Sequence, residues 1–145
     1  MIKRAFMILT IVLLSSINIH AQSYNNVEIF HITQGKIVKL VKSNSAVQKE
    51  TVNYLENIKG VYPKFNPIPE KGYAIRVPLT PSVQIQNSWT NTLVHEVIIM
   101  FPDEQDSLPF LMFFEDDGKL MCFRFEGHTS KLLKLLDFKM QHFLN

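Results

Sequence analysis

His95 and Glu96 stand side by side, the first two letters of a zinc-protease helix, but that chemistry needs a second imidazole at position 99, where the chain has Ile. Two histidines one helical turn apart hold the metal and the glutamate acts as general base, so one histidine alone supplies neither function. Adjacent residues in a strand instead point to opposite faces, which is the plain reading of this pair. His31, His128 and His142 are separated by long intervals that match no ligand spacing. There is no G-x-S-x-G, and no phosphate-cradling loop is written among five glycines. The single cysteine, Cys122, lies in LMCFRF and reads as a small buried strand residue rather than a nucleophile. No catalytic residue, metal ligand or cofactor-binding residue is therefore assigned, and no cofactor is expected.

The charged residues are segregated. Residues 96 to 117 contain Glu96, Asp103, Glu104, Asp106, Glu115, Asp116 and Asp117 and no Lys or Arg. A calcium site or a pair of carboxylates for acid–base work would need several of them to converge. The two clusters flank the strand-like PFLMFF, which at about 3.3 Å per residue holds them roughly 20 Å apart. EDDG also lacks the alternating ligands and distal glutamate of a calcium-binding loop. The clusters read as solvated loop ends. Residues 36 to 71 are the counterpart, with seven lysines against Glu50, Glu56 and Glu70. Opposed patches of this kind can steer a partner, but without arginine they are poorly suited to bidentate phosphate recognition. Trp89, Tyr62, Phe65 and Tyr73 lie in or beside loops and could grip a glycan or peptide by stacking.

The most informative stretch is FLMFFEDDGKLMCFRF, residues 110–125, two apolar runs around an acidic turn. A two-residue Asp117-Gly118 turn would pair Phe114 with Met121 and put Leu111, Phe113, Cys122 and Arg124 on one face. A three-residue turn with a bulge would pair Glu115 with Lys119 and move the partners by one. Either way both faces are largely apolar and need more cover than one layer supplies. Contiguous exposed apolar surface usually marks a contact site, so Leu111, Phe113, Leu120 and Arg124, with Trp89 nearby, form the candidate binding surface.

The elements that would position this surface follow from periodicity. VEIFHITQGKIVKLV reads as a hairpin about Gln34-Gly35. SAVQKETVNYLENIKG reads as a helix with Ser45 and Gln48 in capping-box spacing, Val47, Thr51, Tyr54, Leu55 and Ile58 on one face, and Gly60 as its stop. Three prolines make residues 61–72 a connector. Strands follow at 73–77 and 82–87, with Pro78 and Pro81 suited to a sheet edge, then at LVHEVIIMF and in the two arms of the hairpin. HTSKLLKLLDFKMQHFLN closes the chain as a helix capped by Thr129 or Ser130. The order predicts an α+β, two-layer domain: a mostly antiparallel, curved sheet of five to six strands with two helices packed on one face.

The first residues, MIKRAFMILTIVLLSSINIHAQ, have the form of a secretory signal peptide with cleavage after Ala21, leaving residues 22–145 as one α+β domain. The apolar run is shorter than the roughly 20 residues that cross a bilayer, so no stable membrane span is expected after cleavage. With Lys3 and Arg4 removed, the 15 basic residues fall to 13 and match the 13 acidic ones. No overall basic field is left to recruit nucleic acid. These features predict a small exported protein, periplasmic or extracellular, that binds a protein partner or itself through an apolar sheet face. Two alternatives stand beside it. One is a carrier holding an apolar small molecule between sheet and helices with Arg124 at an anionic head group; the other is a small hydrolase built from dispersed His and carboxylate residues.

Overall fold

The computed structural model describes residues 25–64 and 66–141. The leader expected at 1–21, Phe65, His142, and Phe143 and Leu144 of the closing helix read from the sequence lie outside the described residues. The fold is α+β, with seven strands in one antiparallel sheet and two helices. The strands are β1 (Asn26–His31), β2 (Lys36–Lys42), β3 (Ile58–Val61), β4 (Gly72–Gln86), β5 (Asn91–Pro102), β6 (Phe110–Phe114) and β7 (Leu120–Phe125). Helix α1 (Ser45–Glu56) lies between β2 and β3, and α2 (Thr129–Leu135) follows β7. The sheet order β2-β1-β4-β5-β6-β7-β3 leaves β2 and β3 as its two edges, so the sheet is open rather than rolled upon itself.

The extra strand arises where the first helix stops early. Asn44, not Ser45, caps α1: its side-chain oxygen accepts from the Val47 amide at 3.0 Å. The helix ends at Glu56, and Ile58 to Val61 continue as β3 against β7. Ile58 keeps the helical spacing of Val47, Thr51, Tyr54 and Leu55, yet it is buried from a strand. Ladder bonds to β7 outweigh a weak local preference. Gly60 is consequently no helix stop; it faces Arg124 across the ladder.

The two strands expected at 73–77 and 82–87 are one continuous strand. β4 is paired with β1 over Glu28–His31 and with β5 on its other side along its length, with a bulge between Pro78 and Val83. It is central over Tyr73–Arg76, and Pro78 and Pro81 fall beyond that stretch, where β4 has β5 on one side only. Gln48 of α1 takes the place of β1 there. The Gln48 amide donates to the Pro78 carbonyl at 2.7 Å and accepts from the Thr80 N–H at 3.1 Å, while also donating to Ser43 Oγ at 2.7 Å. One side chain thus supplies donor and acceptor as a strand neighbour would. Gly72, at φ 122°, opens β4 where a Cβ would stand 2.0 Å from the Phe101 carbonyl oxygen, so only glycine fits.

Helix α2 is shorter than its apolar pattern. Asp137 adopts φ 47°, and the Phe138 and Asp137 amides return to the carbonyls of Leu133 and Lys134, closing a Schellman motif. Lys39 reaches over from β2 to the Asp137 carbonyl and carboxylate. The main core lies between sheet and helices: Ile29, Ile75, Val97, Ile99, Leu111, Phe113 and Phe123 meet Val47, Tyr54, Leu55, Leu132 and Leu136. Glu50, buried in α1, is held by Lys131 of α2 at 2.6 Å, which fastens one helix to the other.

Candidate functional site: the second face of the sheet

The register of the β6–β7 hairpin decides what each face presents. Gly118 adopts φ 81°, its amide donates to the Glu115 carbonyl at 2.8 Å, and Glu115 N–H donates to the Lys119 carbonyl at 2.9 Å. This is the three-residue turn with a bulge, and it sets Leu111 opposite Phe123, Met112 opposite Cys122, Phe113 opposite Met121 and Phe114 opposite Leu120.

Two residues of the expected surface are thereby corrected. Leu111 and Phe113 point into the main core and are 0% and 2% exposed, so they offer nothing to a partner. A one-residue change of register reverses every side chain of one strand, which is why they part company with Cys122 and Arg124. Leu120 and Arg124 do lie on the other face, but at opposite ends of β7, about 13 Å apart at strand spacing. Trp89 is about half exposed at the tip of the β4–β5 hairpin, where Asn87 Oδ1 accepts from the Trp89 and Thr90 amides. That tip is tied to the β6–β7 turn, since Thr90 Oγ1 donates to Glu115 at 2.6 Å and Asp116 N–H donates to Thr92 Oγ1 at 2.9 Å. Trp89 and Leu120 therefore belong to the same end of the sheet, whereas Arg124 does not.

The second face has its own small core. Met100, Phe110 and Met112 are buried there, with Ile32, Tyr62, Ala74, Ile98 and Cys122 packed around them. Tyr62, just past β3, stacks on Phe110 with ring centres 3.9 Å apart. Part of the cover for this face is thus the chain's own proline-rich connector. Beyond that cover Phe114 is 55% and Leu120 39% exposed, with Ile98 and Cys122 half-buried beside them. Phe114 was absent from the expected surface; the Glu115–Lys119 spacing that fixes a bulged turn was the signal for it. Cys122 is half-buried in this small core, and that burial raises its thiol above the ordinary range.

Comparison with protein-family models, with curated proteins and with solved structures gives no match.

Polar groups divide the face. Arg76 is held between Glu28 at 3.0 Å and Glu96 at 2.8 Å. The guanidinium hydrogen bond is the main cause that holds the Glu28 carboxyl below the usual range, and the two carboxylates raise Arg76 in turn. This group separates Phe114 and Leu120 from Ile37 and Leu40, which are exposed on β2 at the far margin. His95, next in line to Glu96, turns instead to the β4 bulge, where its Nδ1 lies 2.6 Å from Ser82 Oγ. A hydroxyl and an imidazole at that distance could pass a proton, but among the described residues His95 has no second partner to fix its tautomer. Among the described residues no three His, Cys, Asp or Glu side chains gather as metal ligands would. A cleft of about 570 Å³, open to solvent, lies where Gln48, Glu50 and Val52 of α1 meet Thr80, Pro81 and Val83 of β4, with Lys131 of α2 beside them. No helix among the described residues is long and apolar enough to cross a membrane.

Proposed function

We propose that the chain is an exported, non-enzymatic interaction module that binds a protein partner through the Phe114–Leu120 end of its second sheet face. One observation carries this reading: both helices pack on one side of the sheet, and the other side shows two large apolar residues side by side, Phe114 55% and Leu120 39% exposed. Apolar surface of this kind is costly to leave in water and is usually a contact site. The flanking turn supplies Asp116 and Asp117, with Glu115 at its base, so the complementary partner surface is apolar with a basic rim. Export rests on the form of residues 1–21.

The test is light scattering together with a fluorescent dye for apolar surface. A monomer whose dye signal falls sharply in Phe114→Glu, with its fold retained by circular dichroism, supports the reading. No dye signal in the unaltered protein would sink it, and so would a dimer dissolved by the same substitution, which would make the occupant a second copy. The Ser82–His95 contact favours a second reading, hydrolysis; turnover of an activated ester that is lost in both Ser82→Ala and His95→Ala would establish it.

A further inference from the structure

At the opposite end of the same face, β3 meets β7 and Gly60 stands across from Arg124. A Cβ on Gly60 would lie 2.8 Å from Arg124 Nη2, so the missing side chain is what seats the guanidinium against the strand. Among the described residues Arg124 makes no ion pair or hydrogen bond, which leaves its fork of donors without a protein acceptor. Arg124 also lines a cleft of about 250 Å³ whose apolar walls are Tyr62, Pro63, Leu108 and Pro109. Tyr62 is fixed by its stack on Phe110, and prolines have a locked φ, so these walls exist before any ligand arrives. Leu108 is 77% exposed and has little of its own chain over it.

We propose that this cleft binds a carboxylate carried on a compact apolar group. The fork of Arg124 matches a carboxylate in two parallel hydrogen bonds, and the apolar walls take the attached side chain. The volume lies below the roughly 300–1,000 Å³ of sites for drug-sized ligands, so one side chain with its acid group fits and a lipid does not. Charge narrows the choice further. Lys64 is occupied by Glu104 at 3.1 Å, and Asp106 lines the cleft too, so a doubly charged phosphate would be repelled more than a single carboxylate. Two sources present this chemistry: the C-terminus of a polypeptide ending in an apolar residue, and a free aryl or alkyl carboxylic acid. The inference does not rest on the Phe114 surface.

The experiment is a chemical-shift titration of the full, isotope-labelled chain with N-acetylphenylalanine, its C-terminal amide, and a tetrapeptide of three glycines ending in phenylalanine. Shifts should gather at Tyr62, Leu108 and Arg124, with the amide and the Arg124→Gln protein each weakening binding by about tenfold or more, and Arg124→Lys by less. Tighter binding of the tetrapeptide than of the acetylated residue would assign the site to a polypeptide terminus, and equal binding to a small acid. Equal affinity for acid and amide, an unaffected Arg124→Gln, or no shifts at about 10 mM probe would overturn the proposal.

Discussion

The face assignment of the β6–β7 hairpin can be tested by truncating two residues on the same strand. Leu111 is fully buried beneath the helices, whereas Phe114, three positions on, is more than half exposed. Leu111→Ala removes three buried carbons and leaves a cavity in a sheet strand flanked on both sides, a change that costs about 3 kcal/mol. That is a large share of the roughly 5–15 kcal/mol that holds a domain together. With a urea slope of about 1.5 kcal/mol per molar for a chain of this size, the unfolding midpoint should fall by about 2 M. Phe114→Ala gives up a side chain that is already half in water, so it should cost less than about 1 kcal/mol and move the midpoint by well under 1 M. Urea unfolding followed by tryptophan fluorescence and by circular dichroism reads both numbers on the same protein. If Phe114→Ala costs as much as Leu111→Ala, or if Leu111→Ala is silent, the register described for the hairpin is wrong and the docking face fails with it.

Two further outcomes follow from polar contacts. Gln48→Ala leaves the Pro78 carbonyl and the Thr80 amide without their bridging side chain, and partial access to water limits the loss to about 1–2 kcal/mol; thermal unfolding should show it as a melting point several degrees lower. Because Arg76 lowers the folded-state pKa of Glu28, their stabilisation is complete above the unfolded carboxylate value near 4.3 and disappears as pH falls through the lower folded value. Arg76→Gln should therefore be about 1–2 kcal/mol less stable at pH 7 and approach the unaltered protein as the pH drops below about 4; a gap that stays constant with pH would refute the linkage.

Much of the fold was legible because period and turn chemistry agree over long runs. The β1–β2 hairpin at Gly35, the buried stripe of α1 and the hairpin at Gly118 are each written locally. What escaped was decided by distant partners. β3 lies inside a helical pattern and becomes a strand only because β7 offers a ladder; β4 runs on as one strand past Pro78 and Pro81, where Gln48 of α1 stands in for the neighbour that ends at Arg76. The binding surface was half legible. Two apolar faces on one hairpin could be read from composition, but which four residues share a side depends on a single bulge residue, and the longer alternative is the one the chain adopts. The seat that Gly60 makes for Arg124 could not be seen at all without the pairing, since the two residues are far apart in sequence.

The position of β3 has a consequence for assembly. The segment that makes one margin of the sheet is synthesised before every strand that separates it from β1, and its sole neighbour, β7, emerges near the end of the chain. The first hairpin, α1 and β3 therefore have no shared platform to rest on until the central strands arrive, and the entropy of closing that long interval must be met before its ladder gives anything back. The β3 margin of the sheet can therefore close only after β7 has been made, whereas the β2 margin, paired with β1 in a local hairpin, waits for nothing later in the chain.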